Sequence, residues 1–184
     1  MATVRLLDAE QAPLLARPFY AKGDPGPIVA SLAQVPELLE TAMPFISTAL
    51  GPSAISWRDK ELVIVRTSAV LECSYCVATH TAVALDAGLS HQEVRALRGE
   101  EDIASAFRDP RELALLAWVG ELAGGRGSVP AAVRDGLHAH WEDHEVVELT
   151  VVVGATMLLN RLATGLELPV SAGTERRLAA EGLR

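Results

Sequence analysis

The stretch Arg58–Gly88, RDKELVIVRTSAVLECSYCVATHTAVALDAG, decides the fold of this 184-residue chain. Its apolar residues recur at intervals of three and four, which is the spacing of one face of a helix. The run Leu62–Val65 alone would suit a buried strand, but the apolar pattern continues for longer than strands usually do. We therefore predict two helices, over residues 58–71 and 74–87, that form an antiparallel hairpin. Gly88, a usual helix-terminating residue, ends the second helix.

Capping and proline signals on both sides of this hairpin predict further helices, and therefore an all-α fold. Pro44 should kink or split the first of these helices, because proline removes a backbone hydrogen bond. Residues 1–35 carry four scattered prolines, so we predict an irregular N-terminal arm there and a single all-α domain over residues 36–184. The predicted helices run from Pro36 to Leu50, from Ser90 to Arg98, from Pro110 to Gly124, from Pro130, from Asp143 to Gly165 and from Thr174.

The composition excludes several classes of function. Lys and Arg number 16 against 24 Asp and Glu, giving a formal net charge of −8, so we expect no nucleic-acid binding, which needs a basic face. No run approaches the roughly 18 consecutive apolar residues of a membrane span, and the first 30 residues hold no apolar block typical of a signal peptide. We therefore expect a soluble cytoplasmic protein without membrane association.

The two cysteines form a pattern that suits redox or metal chemistry. Glu61 is followed after eleven residues by Cys73, and Cys76 and His80 follow in a Cys-x-x-Cys-x-x-x-His arrangement. On a helix, residues four and seven apart share a face, so both cysteines and the histidine can point the same way. Cys73 falls at the expected helix N-terminus, where unpaired amides and the helix dipole favour a thiolate.

His80 can take a proton from Cys76, and Glu61 on the preceding helix can orient the imidazole. Two other interpretations use the same residues. Both cysteines can be small buried apolar residues beside a core histidine, or the cysteines and His80 can bind zinc with a fourth ligand. The candidates for that fourth ligand are Glu61, His91 and His138.

With these four residues and the run CSYCVATHTAVALDAGLSHQEVRAL at 73–97, the sequence resembles the carboxymuconolactone decarboxylase and alkylhydroperoxidase D superfamily, in its cysteine-containing alkylhydroperoxidase-like branch. The resemblance covers about residues 35–165. It implies an alkylhydroperoxidase D-like helical bundle that assembles as trimers or hexamers. It also implies reduction of hydroperoxides through the cysteine pair, with the glutamate and the histidine as a proton relay.

Carried over to this chain, the family's scheme makes Cys76 the thiol that the relay deprotonates and peroxide oxidises, and Cys73 the partner that closes a disulfide. The dipole argument alone favours Cys73 as the attacking thiol, whereas the four-residue spacing to His80 favours Cys76, and we follow the spacing. Tyr75 stands where alkylhydroperoxidase D has a second histidine, and we count it among the candidate catalytic residues. We expect a dithiol or protein-thiol reductant, a homo-oligomer, and no cofactor or metal. The alternative function is a non-enzymatic helical oligomer with a zinc-binding or oxidant-sensing site.

Overall fold

The computed structural model describes residues 2–125 and 127–183, and every regular element in this part of the chain is a helix. The all-α prediction is confirmed, and the helices predicted at 58–71 and 74–87 match the structure to within one residue at each end. A 3-10 helix spans Leu14–Tyr20, and the α-helices are α1 Pro27–Leu32, α2 Pro36–Leu50, α3 Trp57–Val70, α4 Ser74–Asp86, α5 His91–Leu97, α6 Ile103–Ala106, α7 Pro110–Gly124, α8 Ala131–His138, α9 Asp143–Gly165 and α10 Ala172–Ala180.

Helix α3 lies at the centre of the bundle and packs against α4, α5, α7 and α9. Its run Leu62–Val65 is at most 2% exposed. A helix that is surrounded on all sides is apolar on all sides. The strand-like run in the sequence therefore reflects complete burial of the central helix.

The turn between α3 and α4 fixes the position of the first cysteine. The Cys73 N–H donates to the Ser68 carbonyl at 3.0 Å and the Glu72 N–H donates to the Ala69 carbonyl at 3.1 Å, which is a Schellman arrangement. Glu72 has a φ of 55°, a left-handed conformation that glycine usually supplies at this position. The chain therefore reverses within three residues, and Cys73 directly precedes α4.

The N-terminal arm is more ordered than the sequence predicted. It contains the 3-10 helix and α1, and the Tyr20 hydroxyl donates to the Leu7 carbonyl at 2.8 Å. Both residues belong to an apolar cluster that includes Leu39 of α2. The proline pattern misled the prediction, because Pro27 occupies the first turn of α1, where a missing N–H removes no helical hydrogen bond.

Helix α2 continues through Pro44 as one helix, so the predicted split does not occur. Pro44 is exposed, so water can satisfy the carbonyl that it leaves without a partner.

The C-terminal end of α2 is held by Lys60, which is 2% exposed. Its Nζ donates to the carbonyls of Ala49, at 3.2 Å, and of Gly51, and lies 2.9 Å from Glu148 Oε1 of α9.

Helix α9 is long and apolar enough to cross a membrane by length and composition alone. A core helix of a soluble protein passes the same test, and α9 packs against α2, α3, α4 and α7. Leu149, Val152 and Val153 of this helix are fully buried in the main apolar cluster around α3 and α7. One face of α9 therefore lies in the core, and 39% of its most apolar 18-residue stretch is buried.

The left-handed conformation of Glu72 generates a stability prediction. Replacing it by glycine, Glu72→Gly, should raise the free energy of unfolding by up to about 1 kcal/mol, because relief of backbone strain exceeds the added entropy of the unfolded chain. Glu72→Val should lower it by a similar or larger amount, since a β-branched residue is strained at this φ. Urea unfolding of both variants measures the effect, and equal destabilisation by both would contradict it.

Candidate active site

Cys73 occupies the N-cap position of α4, and its Sγ accepts a hydrogen bond from the Cys76 N–H at 3.4 Å. The two residues are 1% and 5% exposed, and both are free thiols. An N-cap side chain meets amide groups that have no partner inside the helix, and these groups favour negative charge. The site therefore places one thiol where a thiolate is stabilised, one helical turn from the other thiol.

The two thiols differ in acidity. A hydrogen bond from the Cys76 thiol lowers the pKa of Cys73 to about 6, helped by the backbone N–H groups of Cys76 and Tyr75 and by the Thr164 hydroxyl, while burial acts in the opposite direction. The hydrogen bond to Cys73 and burial raise the pKa of Cys76 above its ordinary value. At neutral pH the negative charge of the dithiol therefore lies on Cys73, and the position of this residue at the N-terminus of α4 favours the same state.

The predicted contact between Glu61 and His80 is confirmed. The Nδ1 of His80 on α4 lies 3.0 Å from the Oε2 of Glu61 on α3. The Glu61 side chain is 4% exposed and that of His80 is 24% exposed, so the carboxylate is buried and the imidazole reaches the surface. A carboxylate only accepts hydrogen bonds, so Nδ1 donates to it and the neutral ring keeps its lone pair on Nε2. Nε2 is thereby free to take a proton.

A cavity of about 90 Å³ brings the second cysteine and the histidine together. About half of the residues that line it are half-buried and form its rim, and the others are buried and form its floor. The rim consists of Ile28, Leu50, Tyr75, Thr79, His80 and Leu159, and the floor of Ile64, Ser68, Cys76, Thr156 and Asn160. Cys73 does not line this cavity; it lines a separate, more open pocket with Glu72, Ser74 and Thr164.

Tyr75 lines both the cavity and the open pocket, and so lies between the surroundings of the two cysteines. Burial, followed by the charge of Cys76, raises the pKa of its phenol above the ordinary value near 10. The phenol therefore stays protonated at neutral pH. It can donate a hydrogen bond to a bound molecule, but it does not exchange protons as the family's histidine can.

The candidate zinc ligands are not brought together. Within residues 2–125 and 127–183, no group of three or more His, Cys, Asp or Glu side chains has an arrangement that could hold a metal ion. His91 instead lies 3.0 Å from Glu181, and His138 lies 3.7 Å from Asp143. His91 and His138 are therefore engaged by carboxylates of their own in the part of the chain that the structure describes.

Several residues of the cavity could not be identified from the sequence. Ile28 comes from the arm, and Thr156 and Asn160 come from α9, far along the chain from the cysteines. The signal available for the last two was that two polar residues, four apart, interrupt an otherwise apolar stretch of α9. This spacing predicts that the two polar side chains lie on one face of the helix, but it does not predict which part of the molecule that face contacts.

The lowered pKa of Cys73 predicts a pH-dependent thiolate signal. Ultraviolet thiolate absorbance of the reduced protein should appear with a midpoint near pH 6, so that it is present at pH 7 and lost as the pH falls below 6. Cys73→Ser should abolish this transition, and Cys76→Ala should move it to higher pH by removing the largest stabilising hydrogen bond. A midpoint near the ordinary cysteine value of about 8.5 would contradict the assignment.

Comparisons with known proteins agree with this architecture. The model of the carboxymuconolactone decarboxylase family matches residues 36–121. No curated protein sequence matches the chain. Among solved structures, a protein of unknown function from Agrobacterium tumefaciens is 26% identical with a TM-score of 0.69, and the match covers 77% of this chain and 96% of that one.

Two further structures share the fold over almost the whole chain. An uncharacterised peroxidase-related protein with an alkylhydroperoxidase core, from Ralstonia eutropha JMP134, has a TM-score of 0.81 at 18% identity and 94% coverage of both chains. The debrominase Bmp8, in complex with 2,3,4-tribromopyrrole, has a TM-score of 0.79 at 16% identity, covering 98% of this chain and 99% of that one. The chain is therefore similar to the carboxymuconolactone decarboxylase family over residues 36–121, and it shares its fold with proteins that have an alkylhydroperoxidase core.

Proposed function

We propose that this protein is a thiol-dependent peroxidase that reduces a hydroperoxide through Cys73 and Cys76, with Glu61 and His80 as its proton relay. The observation that carries the proposal is the 3.0 Å contact between Glu61 and His80, together with the small cavity that His80 and Cys76 both line. A buried carboxylate, an imidazole and a thiol in this order form the arrangement that activates a nucleophile. The fold and family are consistent with the proposal, although relatives include a protein named as a debrominase.

The first step consumes the peroxide. His80 Nε2 takes the proton of the Cys76 thiol, and the Glu61 carboxylate stabilises the imidazolium that forms. The Cys76 thiolate attacks the terminal oxygen of the hydroperoxide, the O–O bond breaks, and Cys76 becomes a sulfenic acid. The leaving alkoxide takes the proton back from His80 and departs as the alcohol.

The second step closes the disulfide. The Cys73 thiolate attacks the Cys76 sulfur, the S–O bond breaks, and the hydroxide that leaves takes a proton from solvent to become water. Two thiols and one hydroperoxide thus give one disulfide, one alcohol and one water. A dithiol or protein-thiol reductant then restores both thiols by exchange. We place this cycle in the cytoplasm, where such reductants keep thiols reduced.

We further propose that the protein forms a homo-oligomer through the outer faces of α2 and α9, which pack side by side. Exposed apolar patches of this kind mark interaction surfaces, and a second copy of the chain is the partner that the family resemblance implies. The large apolar side chains exposed on these two helices are Leu38, Phe45, Val147, Val151 and Leu158.

Sedimentation velocity at micromolar concentration should therefore show a trimer or hexamer. Phe45→Glu and Leu158→Glu should shift the protein toward the monomer, because each places a charge in an apolar contact. Leu14→Glu is the matched control, since Leu14 is 77% exposed but lies in the arm. A wild-type monomer would contradict the proposed assembly.

The relay is tested by Glu61→Gln, which keeps a hydrogen-bond acceptor for His80 but removes the charge. Peroxide-driven turnover with a dithiol donor should fall about 10- to 1000-fold, since the imidazolium loses its stabilising partner. His80→Ala should be at least as severe. Far-ultraviolet circular dichroism should show an unchanged fold for Glu61→Gln.

Glu181→Gln is the matched control for the relay. Glu181 pairs with His91 at the same 3.0 Å, but neither residue lines the cavity, so turnover should stay at the wild-type level. Full activity of Glu61→Gln would contradict the relay. Oxidation that stops after one equivalent of peroxide in the presence of dithiol would favour an oxidant sensor, and turnover of 2,3,4-tribromopyrrole in place of peroxide would favour dehalogenation.

A further inference from the structure

Three polar side chains on the floor of the cavity take no part in the proposed proton relay. Ser68 on α3 and Thr156 and Asn160 on α9 line the cavity and are at most 2% exposed. The Asn160 Nδ2 donates to the Thr156 carbonyl at 2.7 Å and to the Ser68 hydroxyl at 3.2 Å. Among the described residues, the Asn160 Oδ1 and the Thr156 Oγ1 have no hydrogen-bond partner.

The orientation of the Asn160 amide is fixed by its surroundings. A backbone carbonyl only accepts, so the nitrogen end of the amide must face Thr156, and the oxygen end must point elsewhere. A buried acceptor without a donor lowers the stability of the folded state. That cost is removed when a molecule with an O–H group enters the cavity.

We propose that Asn160 and Thr156 form a seat for the hydroperoxide group opposite Cys76, and that the seat selects small hydroperoxides. This inference rests on the proposed peroxidase function and deepens it. The Asn160 Oδ1 accepts the O–H of the terminal oxygen, which is the atom that the Cys76 sulfur attacks. The Thr156 hydroxyl donates to the second oxygen, on which negative charge develops as the O–O bond breaks.

The size of the cavity sets the substrate class. A volume of about 90 Å³ is several times the roughly 10–15 Å³ that one water needs, but it is smaller than the cavity of about 150 Å³ that holds benzene. Hydrogen peroxide and short alkyl hydroperoxides therefore fit with their oxygens on the polar floor, whereas an aromatic or long-chain hydroperoxide does not reach it.

The test compares two reagents on the same thiol, Cys76, in a Cys73→Ser background, because the Cys73 thiolate would otherwise react with the thiosulfonate first. Hydrogen peroxide carries O–H donors, whereas methyl methanethiosulfonate has none, so only the first should depend on the seat. In Thr156→Val and Asn160→Leu, which keep approximate side-chain shape, the rate of Cys76 oxidation by hydrogen peroxide should fall at least tenfold. The rate with methyl methanethiosulfonate should change less than twofold in both variants.

Thr67→Val is the matched control, because Thr67 is also a fully buried threonine with an unpaired hydroxyl but does not line the cavity. It should leave both rates unchanged. In the wild type, hydrogen peroxide and ethyl hydroperoxide should each react at least tenfold faster than cumene hydroperoxide.

The outcomes separate the seat from the function it serves. In one outcome, the wild type turns over peroxide while Thr156→Val and Asn160→Leu are oxidised by hydrogen peroxide at an unchanged rate. That result would overturn the seat but not the proposed peroxidase function. An equal fall in the rate of reaction with both reagents would also overturn the seat, because it would show that these residues only support the packing of α3 on α9. A wild type that reacts with methyl methanethiosulfonate but with no hydroperoxide would overturn the proposed function and the seat together.

Discussion

Three consecutive charged residues near the start of the central helix, Asp59, Lys60 and Glu61, are each at most 5% exposed. A buried charge is costly unless it is paired, and successive helical residues point about 100° apart around the axis, so one neighbour cannot serve all three. Each charge therefore requires a partner on a different helix, and the arrangement of the bundle follows from this requirement. The partners are Arg111 of α7 at 3.1 Å, Glu148 of α9 at 2.9 Å and His80 of α4 at 3.0 Å, respectively.

The third of these pairs belongs both to the fold and to the proposed chemistry. Glu61 fixes α4 against α3, and the same hydrogen bond orients His80 toward the cavity that Cys76 lines. Removing the carboxylate altogether would leave an unpaired ring nitrogen, so a loss of activity would be mixed with a loss of stability. The proposed relay therefore begins at Glu61 on α3, a helix packed against four others, which suits a group that must be held in place.

The sequence predicts features that depend on residues close together in the chain, such as helix bounds. It does not predict features that depend on contacts between distant segments. The Ser90–Glu93 capping box and the start of α7 at Pro110 are local signals, so the bounds of these helices were predictable. The spacing of Cys76 and His80 on one helix was also local. The lowered pKa of Cys73 depends in part on Thr164, on the far end of α9, and no pattern along the chain links these two residues.

The different environments of the two cysteines suit different parts of the proposed cycle. Nucleophilicity of a thiolate rises with its pKa but the thiolate fraction falls, so Cys76, whose pKa is raised, depends on His80 to take its proton before it attacks peroxide. A thiol of low pKa leaves faster from a disulfide, and Cys73 is that thiol. During reduction, the incoming thiolate therefore attacks Cys76, which lines the cavity, and releases Cys73 to its stabilised state at the start of α4. Under this scheme the same narrow cavity admits the oxidant and the reducing thiol, so the reductant must present its sulfur on a slender, extended group.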